Sequence, residues 1–455
     1  MLATRGVLLA LLLGPAAFGT WALLRLGMRY SALAAISVYR GLELELFQQR
    51  SGVGANQRRS PAAALGFVLV LSGAIAAVAL GAAFLVEDAT TRLLLRGFAA
   101  ASLTEAIYGY ALVCTRGRGD LRRYSMLEAG TSVLHLLWSV GLAARWGLSG
   151  AFVGLTVANL MGIAAAARWV ELRPALDWEM VHRMLRVGLP VVLTMGIGIL
   201  LSTSDRWVVA VWGGPTMLGY YAFAGSVTAF AGVLAIVVRT VVFPQVYRQA
   251  SCSGPAAALQ VHLDRTLLPF ACFVPPLLGG LSLAVGPLVA GSMPQYVEAI
   301  APARIFLLSG AAMGLVNLAS VGAVAVGRQR QLPAYATAAL VLTLGLSSLA
   351  LASGASLGAV ASANFAGHLL FAALVLRLNV REAGIPAAEK LVARALLPLI
   401  WCTISVALSG ALFPGTALEQ AGSALLLYLA LLTPLGPIWR NQRRRMQGET
   451  GYMMD

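Results

Sequence analysis

Apolar residues in this chain run in long uncharged blocks, with neither the spacing of an amphipathic helix nor the alternation of a strand. The blocks 61–86, 146–167, 305–327 and 395–418 each have the length of one membrane-crossing helix. Block 207–238 ends one helix and opens the next around Gly213-Gly214-Pro215. Block 331–376 holds two, divided at Ser353-Gly354-Ala355-Ser356. The pattern predicts helices near 20–46, 62–86, 93–115, 125–145, 148–168, 185–211, 217–245, 266–290, 304–326, 333–352, 357–376, 394–414 and 421–439. Residues 2–13 form a further apolar stub, too short as written to cross ~30 Å of hydrocarbon. The predicted fold class is all-α, a polytopic membrane protein.

Composition agrees. Hydrophobic residues make up 59% of the 455 positions and charged residues 11%, against about 25% charged in a typical soluble domain. This excludes a disordered chain and leaves no room for a large soluble catalytic domain. The net charge of +15 would suggest nucleic acid in a soluble protein, but here it marks orientation. One set of alternate loops carries 23 basic residues, from Arg50 to Arg445, and the opposite set only Arg92, Arg96, Arg145 and Arg304. The rich side is predicted to be cytoplasmic, with the C-terminus, and with the N-terminus if the stub crosses. Cys114, Cys252, Cys272 and Cys402 are scattered, and no CxxC, HExxH or GxxxxGK[ST] occurs. No metal, cofactor, catalytic centre or nucleic-acid partner is therefore expected. Arg5, the apolar run 7–13 and Pro15-Ala16-Ala17 also fit a secretory signal. Recurrence of that segment within the chain weighs against this.

The segment Gly14 to Ala22 (GPAAFGTWA) returns as Gly214 to Ala222 (GPTMLGYYA). Further on, RGDLRRY at 118–124 resembles RQRQLPAY at 328–335. Gly150-Ala151 with Asn159 resembles Gly358-Ala359 with Asn364. Three pairs in one order argue for an internal repeat of six helices. An even number returns the chain to its starting side, so the halves should share one orientation, with a substrate path between them. The expected divisions are 1–175, a first lobe with a truncated first helix; 176–378, a second lobe; and 379–455, two added helices and a basic tail.

These features carry a family resemblance. The turn Leu13-Gly14-Pro15 to Phe18-Gly19, the segment Arg186-Val187-Gly188-Leu189-Pro190, Asp205-Arg206 followed by Gly214 to Ala222, and Phe243-Pro244 together resemble the oligosaccharide flippases of polysaccharide biosynthesis (the Wzx type). The superfamily also holds lipid II flippases and multidrug extruders. The chain departs from the pattern in its short first helix and in Glu43 and Glu45, where the family is less acidic. The resemblance implies a transporter, not an enzyme, in a bacterial inner membrane. Its cargo would be an isoprenoid-pyrophosphate-linked oligosaccharide, moved to the outer leaflet for exopolysaccharide, O-antigen or capsule synthesis. Membrane lipid, a polysaccharide polymerase and glycosyltransferases would be partners. The alternative is an ion-coupled multidrug or metabolite antiporter of the same superfamily. A membrane-embedded glycosyltransferase would want a sizeable outside loop bearing carboxylates, and none is long enough.

Charges within the spans are costly and select the candidate site. Arg25, Arg29 and Arg40 project within ~60° of one another on an ideal helix, a basic stripe, with Arg29 about 14 Å below the outer turn. Arg239 occupies the matching place in the second half. A guanidinium offers phosphate a bidentate fork and stays ionised when desolvated, so these four are candidate cargo-head contacts. Alternatively, the arginines neutralise Glu43, Glu45 and Glu105, or snorkel to the interface. Glu105, with Tyr108 nearby, is a candidate ion-coupling group or half of an ion pair. Asp205 and Arg206 are a candidate gate or simple interface anchors. Glu128 and His135 share a helical face, His135 reading as a packing residue. Asn159, Asn317, Asn364 and His368 are expected to bond between helices.

Overall fold

The computed structural model describes residues 2–50, 59–384, 388–413, 418–437 and 439. Arg58 of the loop reading, and the tail residues Arg440, Arg443, Arg444 and Arg445, lie outside them. Thirteen α-helices follow in order among the described residues. The first half holds α1 (Leu2–Arg50), α2 (Arg59–Leu85), α3 (Ala89–Gly117) and α4 (Leu121–Ala166). Then come α5 (Trp178–Val227), α6 (Ala229–Ser253), α7 (Pro255–His262), α8 (Leu268–Ser292) and α9 (Ile300–Ala325). The chain ends with α10 (Leu332–Ala352), α11 (Leu357–Glu382), α12 (Ala388–Leu412) and α13 (Leu418–Leu431). Among the described residues, ten helices, some joined through short turns, are long and apolar enough to cross a membrane. The protein is a polytopic all-α membrane protein.

α1, α4 and α5, of 49, 46 and 50 residues, exceed any single span at 1.5 Å per residue. Each is bent into two segments at one glycine, at Gly14, Gly147 and Gly214. Gly14 has φ 70°, ψ 171° and Gly214 φ 69°, ψ −173°, a region essentially closed to residues with a Cβ. Proline follows both, at the first position of the next segment, where its missing N–H costs nothing. The bends divide the helices where the hydropathy pattern expects separate spans. Most observed helices begin a few residues before the predicted ones, since backbone pairing extends beyond the apolar run, whereas α13 ends at Leu431, short of the predicted 439.

Packing divides the chain into two compact units, Met1–Ile199 with Gly214–Ala222, and Leu200–Gly213 with Phe223–Asp455. In the first, α1, α2 and α3 close around Val38, Leu42, Ala64, Val68 and Tyr110. The stub belongs to this packing, with Leu9 and Ala10 fully buried. Small residues let backbones meet, as membrane helices require when lipid tails are as apolar as leucine. The two segments of α4 fold against each other through Gly150 and Gly154, whose backbones lie on Leu142 and Trp138. Also within this unit, Gly19 packs on the Pro215 carbonyl and Gly219 on the Pro15 carbonyl. Repeat-related turns thus touch reciprocally, as the faces of a two-fold contact do. In the second unit, α8, α12 and α13 bury Leu283, Cys402, Val406 and Tyr428 together.

The repeat recurs in geometry. Left-handed glycines stand at Gly14 and Gly214, Gly119 and Gly327, and Gly147 and Gly354. Asn159 donates to Thr104 at 3.3 Å, while Ser309 donates to Asn364 at 3.1 Å. Both partners shift by the same 205 positions.

Candidate functional site

Within the first unit, α1, α3 and α4 enclose a polar cavity of about 240 Å³. Its walls include Arg5, Arg25, Glu105, Glu128, His135 and Asn159. Five helical segments supply these groups, the two of α1, α3 and the two of α4, and a chain of hydrogen bonds links several of them. Arg5, buried to 6% exposure, donates from Nη1 to His135 Nδ1 at 3.0 Å. A guanidinium can only donate, so Nδ1 accepts and the ring proton resides on Nε2. That proton faces Asn159 Oδ1 at 3.0 Å, and the Asn159 amide donates on to Thr104 Oγ1. The Thr104 hydroxyl donates to the α3 backbone at Ala100. Every bond points the same way, from the guanidinium into α3. The guanidinium of Arg5 also lies 5.9 Å from the Trp21 ring centre, a cation–π distance.

Arg25 pairs with Glu105 at 3.3 Å, both side chains about one-third exposed. Glu105 also borders a second cavity of about 240 Å³ in the same unit, lined mainly by apolar groups including Met28, Ala32, Ile36, Leu71 and Ile75. Arg116 and Tyr124 close its other end. There Glu43 accepts two arginines, Arg116 at 2.6 Å and Arg40 at 2.9 Å. Two guanidinia against one carboxylate leave that end formally cationic. In the polar cavity, Arg5 and Arg25 balance Glu105 and Glu128.

The predicted stripe therefore divides. Arg25 and Arg40 have carboxylate partners, Glu105 and Glu43. Arg29 is exposed and lines neither cavity. Arg239 reaches from α6 to Asn317 of α9 at 3.4 Å within the second unit. The Asp205 side chain, 1% exposed, accepts the backbone N–H of Arg206 at 2.9 Å. The Arg206 guanidinium lies beside Gly225. Glu128 and His135 do share a wall, as does Tyr108. Asn159, Asn364 and His368 bond between helices as expected, His368 through Ser309 at 2.7 Å.

Sequence reasoning missed Arg5, which lay in a segment that also read as a signal peptide. It also missed the polar link made by His135. The positions are 130 apart, and no local pattern connects them.

A family model described as "Polysaccharide biosynthesis protein" matches residues 8–293, more than half of the chain. The chain belongs to the polysaccharide biosynthesis protein family. The match covers both repeat turns and, except for Arg5, the lining of both cavities, and agrees with the resemblance drawn from Gly14–Gly19, Arg186–Pro190 and Phe243-Pro244. Among solved structures, the chain is similar to the lipid II flippase MurJ in an inward closed conformation. There the TM-score is 0.70 and the identity 13%, with 96% of each chain covered. It is similar also to an inward-facing multidrug resistance MATE family transporter of the MOP superfamily. For that one the TM-score is 0.62 and the identity 14%, covering 89% of this chain and 94% of the other. A MOP superfamily transporter from Pyrococcus furiosus gives a TM-score of 0.51 at 15% identity, covering 85% and 91%. No curated protein sequence matches the chain significantly. Identities this low establish the fold, which this family member shares with flippases and drug transporters.

Proposed function

We propose that the protein is a flippase for an isoprenoid-pyrophosphate-linked oligosaccharide in the bacterial inner membrane, acting in polysaccharide synthesis with its C-terminus in the cytoplasm. Its two six-helix halves, 1–175 and 176–378, would alternate access to the two leaflets, with the 379–455 segment as an addition. One observation carries the reading. A cavity with the guanidinia of Arg5 and Arg25 adjoins an apolar cavity across a shared carboxylate, Glu105. An anionic head on an apolar tail needs both environments. In water the pyrophosphate is heavily hydrated, and guanidinium forks replace part of that hydration inside a low-dielectric wall. Cargo phosphate and Glu105 compete for Arg25, so cargo binding would free Glu105 to take up a coupling ion. Arg29, Arg40 and Arg239 would extend the basic path, and Asp205 and Arg206 would act at a gate. A polymerase and glycosyltransferases would work on the same cargo.

The test is transport in vesicles reconstituted with the pure protein and a fluorescent lipid-linked oligosaccharide. Time-dependent loss of the probe from the loaded leaflet is expected, absent in protein-free vesicles. Transport of a cationic dye with no movement of the lipid-linked probe would instead establish the drug-antiporter reading.

A further inference from the structure

Arg304 stands near the start of α9, where α8 and α12 pack beside it within the second unit. Its guanidinium lies over two backbones without side chains. A Cβ on Gly286 of α8 would stand 2.9 Å from Nη2, and one on Gly410 of α12 3.4 Å from Nη1. These glycines leave the space the guanidinium fills. Arg25, Arg40, Arg116 and Arg328 each face a carboxylate, Glu105, Glu43 or Glu382. For Arg304 no ion pair or side-chain hydrogen bond exists among the described residues, and its Nε is buried without a partner. The side chain is not there to cap α9 either, because the N-terminal end of a helix disfavours a cation. A half-buried cation in a membrane protein calls for an anion, and the described residues offer none.

We propose that Arg304 is an anion site that binds the phosphate of a lipid headgroup at the junction of α8, α9 and α12. A planar fork of donors matches two phosphate oxygens at once. The junction lies at the end of the α8–α9 hairpin, by the turn Pro294–Ala299, the depth at which headgroups sit. Leu288 on α8 and Leu408 and Leu412 on α12, each within two positions of the glycines, are exposed apolar side chains suited to acyl chains. The charge asymmetry of the loops places this turn on the side that carries few other basic residues, so competing cations are sparse.

The experiment titrates the pure full-length protein, in neutral detergent, with phosphatidylglycerol, with diacylglycerol and with inorganic phosphate. Native mass spectrometry reads occupancy, and the thermal unfolding midpoint reads stability. Phosphatidylglycerol is expected to bind and raise the midpoint, and diacylglycerol to do neither. Arg304→Gln should weaken phosphatidylglycerol binding roughly tenfold or more, while Arg183→Gln, a surface change elsewhere, leaves it unchanged. Without lipid, Arg304→Met should keep or raise the midpoint, since it removes an unpaired charge. Equal lipid binding by wild type and Arg304→Gln would overturn the site. A lower lipid-free midpoint in Arg304→Met would overturn it too, by revealing a structural partner. Inorganic phosphate acting as strongly as the lipid at equal concentration would overturn the headgroup as the source.

Discussion

Arg25 and Glu105 show how one residue pair can be read in two ways and then tested. Their 3.3 Å pair is about one-third exposed, so solvent screens it and its worth to stability is small. Its worth to cargo recognition is separate. Arg25→Ala should lower cargo affinity roughly ten- to a hundred-fold, the cost of about 1.5–3 kcal/mol for a lost charge-assisted bond. Arg25→Lys should retain part of it, keeping the charge but not the fork. Transport at matched expression measures both. Recovery in the double variant Arg25→Ala with Glu105→Ala would mean that the arginine serves only to neutralise the carboxylate. His135 gives a second test at this scale. His135→Leu strands the donor of Arg5 and an oxygen of Asn159 in a buried site, at about 1–3 kcal/mol for each unsatisfied group. A clear fall in the thermal midpoint in detergent is expected. An unchanged midpoint would mean that water takes over both bonds.

Among the elements, α4 depends on close backbone approach. A Cβ at Gly154 would overlap the Trp138 carbonyl and the backbone at Ser139, while one at Gly141 meets nothing within 4 Å. Gly154→Ala should therefore destabilise the protein by about 1–3 kcal/mol through overpacking. Gly141→Ala, on the same helix, should be neutral or stabilising. Comparing the two midpoints separates packing from helix propensity. The start of α3 offers a pH test outside the spans. Asp88 caps it, accepting from the hydroxyl and the backbone N–H of Thr91 at 2.5 and 2.7 Å. These bonds hold its carboxyl below the usual range. A depressed value stabilises the fold above the unfolded carboxylate pKa of about 3.9, and that gain is lost as pH falls through the folded value. The midpoint gap between wild type and Asp88→Ala should thus be full at neutral pH and shrink below about pH 4. A gap independent of pH would show that the charge plays no part in the cap.

For the whole molecule, the alternating basic loops make an orientation that labelling can check. In a cysteine-free background, Ser353→Cys should react with an impermeant maleimide in intact cells. Arg330→Cys should react only after permeabilisation. The opposite pattern would invert the topology and with it the proposed direction of transport.

The apolar span pattern and the breaks at Gly14, Gly147 and Gly214 were legible in the sequence. Each depends on local physics: twenty apolar residues to cross a bilayer, a glycine where φ is positive, a proline where no N–H is needed. Asn159 and Asn364 were legible as interhelical groups because an amide among apolar side chains has to find a partner somewhere. Which partner it finds is another matter. That Arg25 rather than Arg29 meets Glu105, that Glu43 takes both Arg40 and Arg116, and that Arg5 reaches His135 depend on how helices rotate and slide against one another. Ideal helical angles put all three stripe arginines on one face, but only packing decides which of them a neighbouring helix answers. Arg304 shows the same division. Its charge and its rarity on that side were visible along the chain, while the two glycine backbones beneath it, and the lack of a counter-ion among the described residues, emerge only once α8, α9 and α12 have come together.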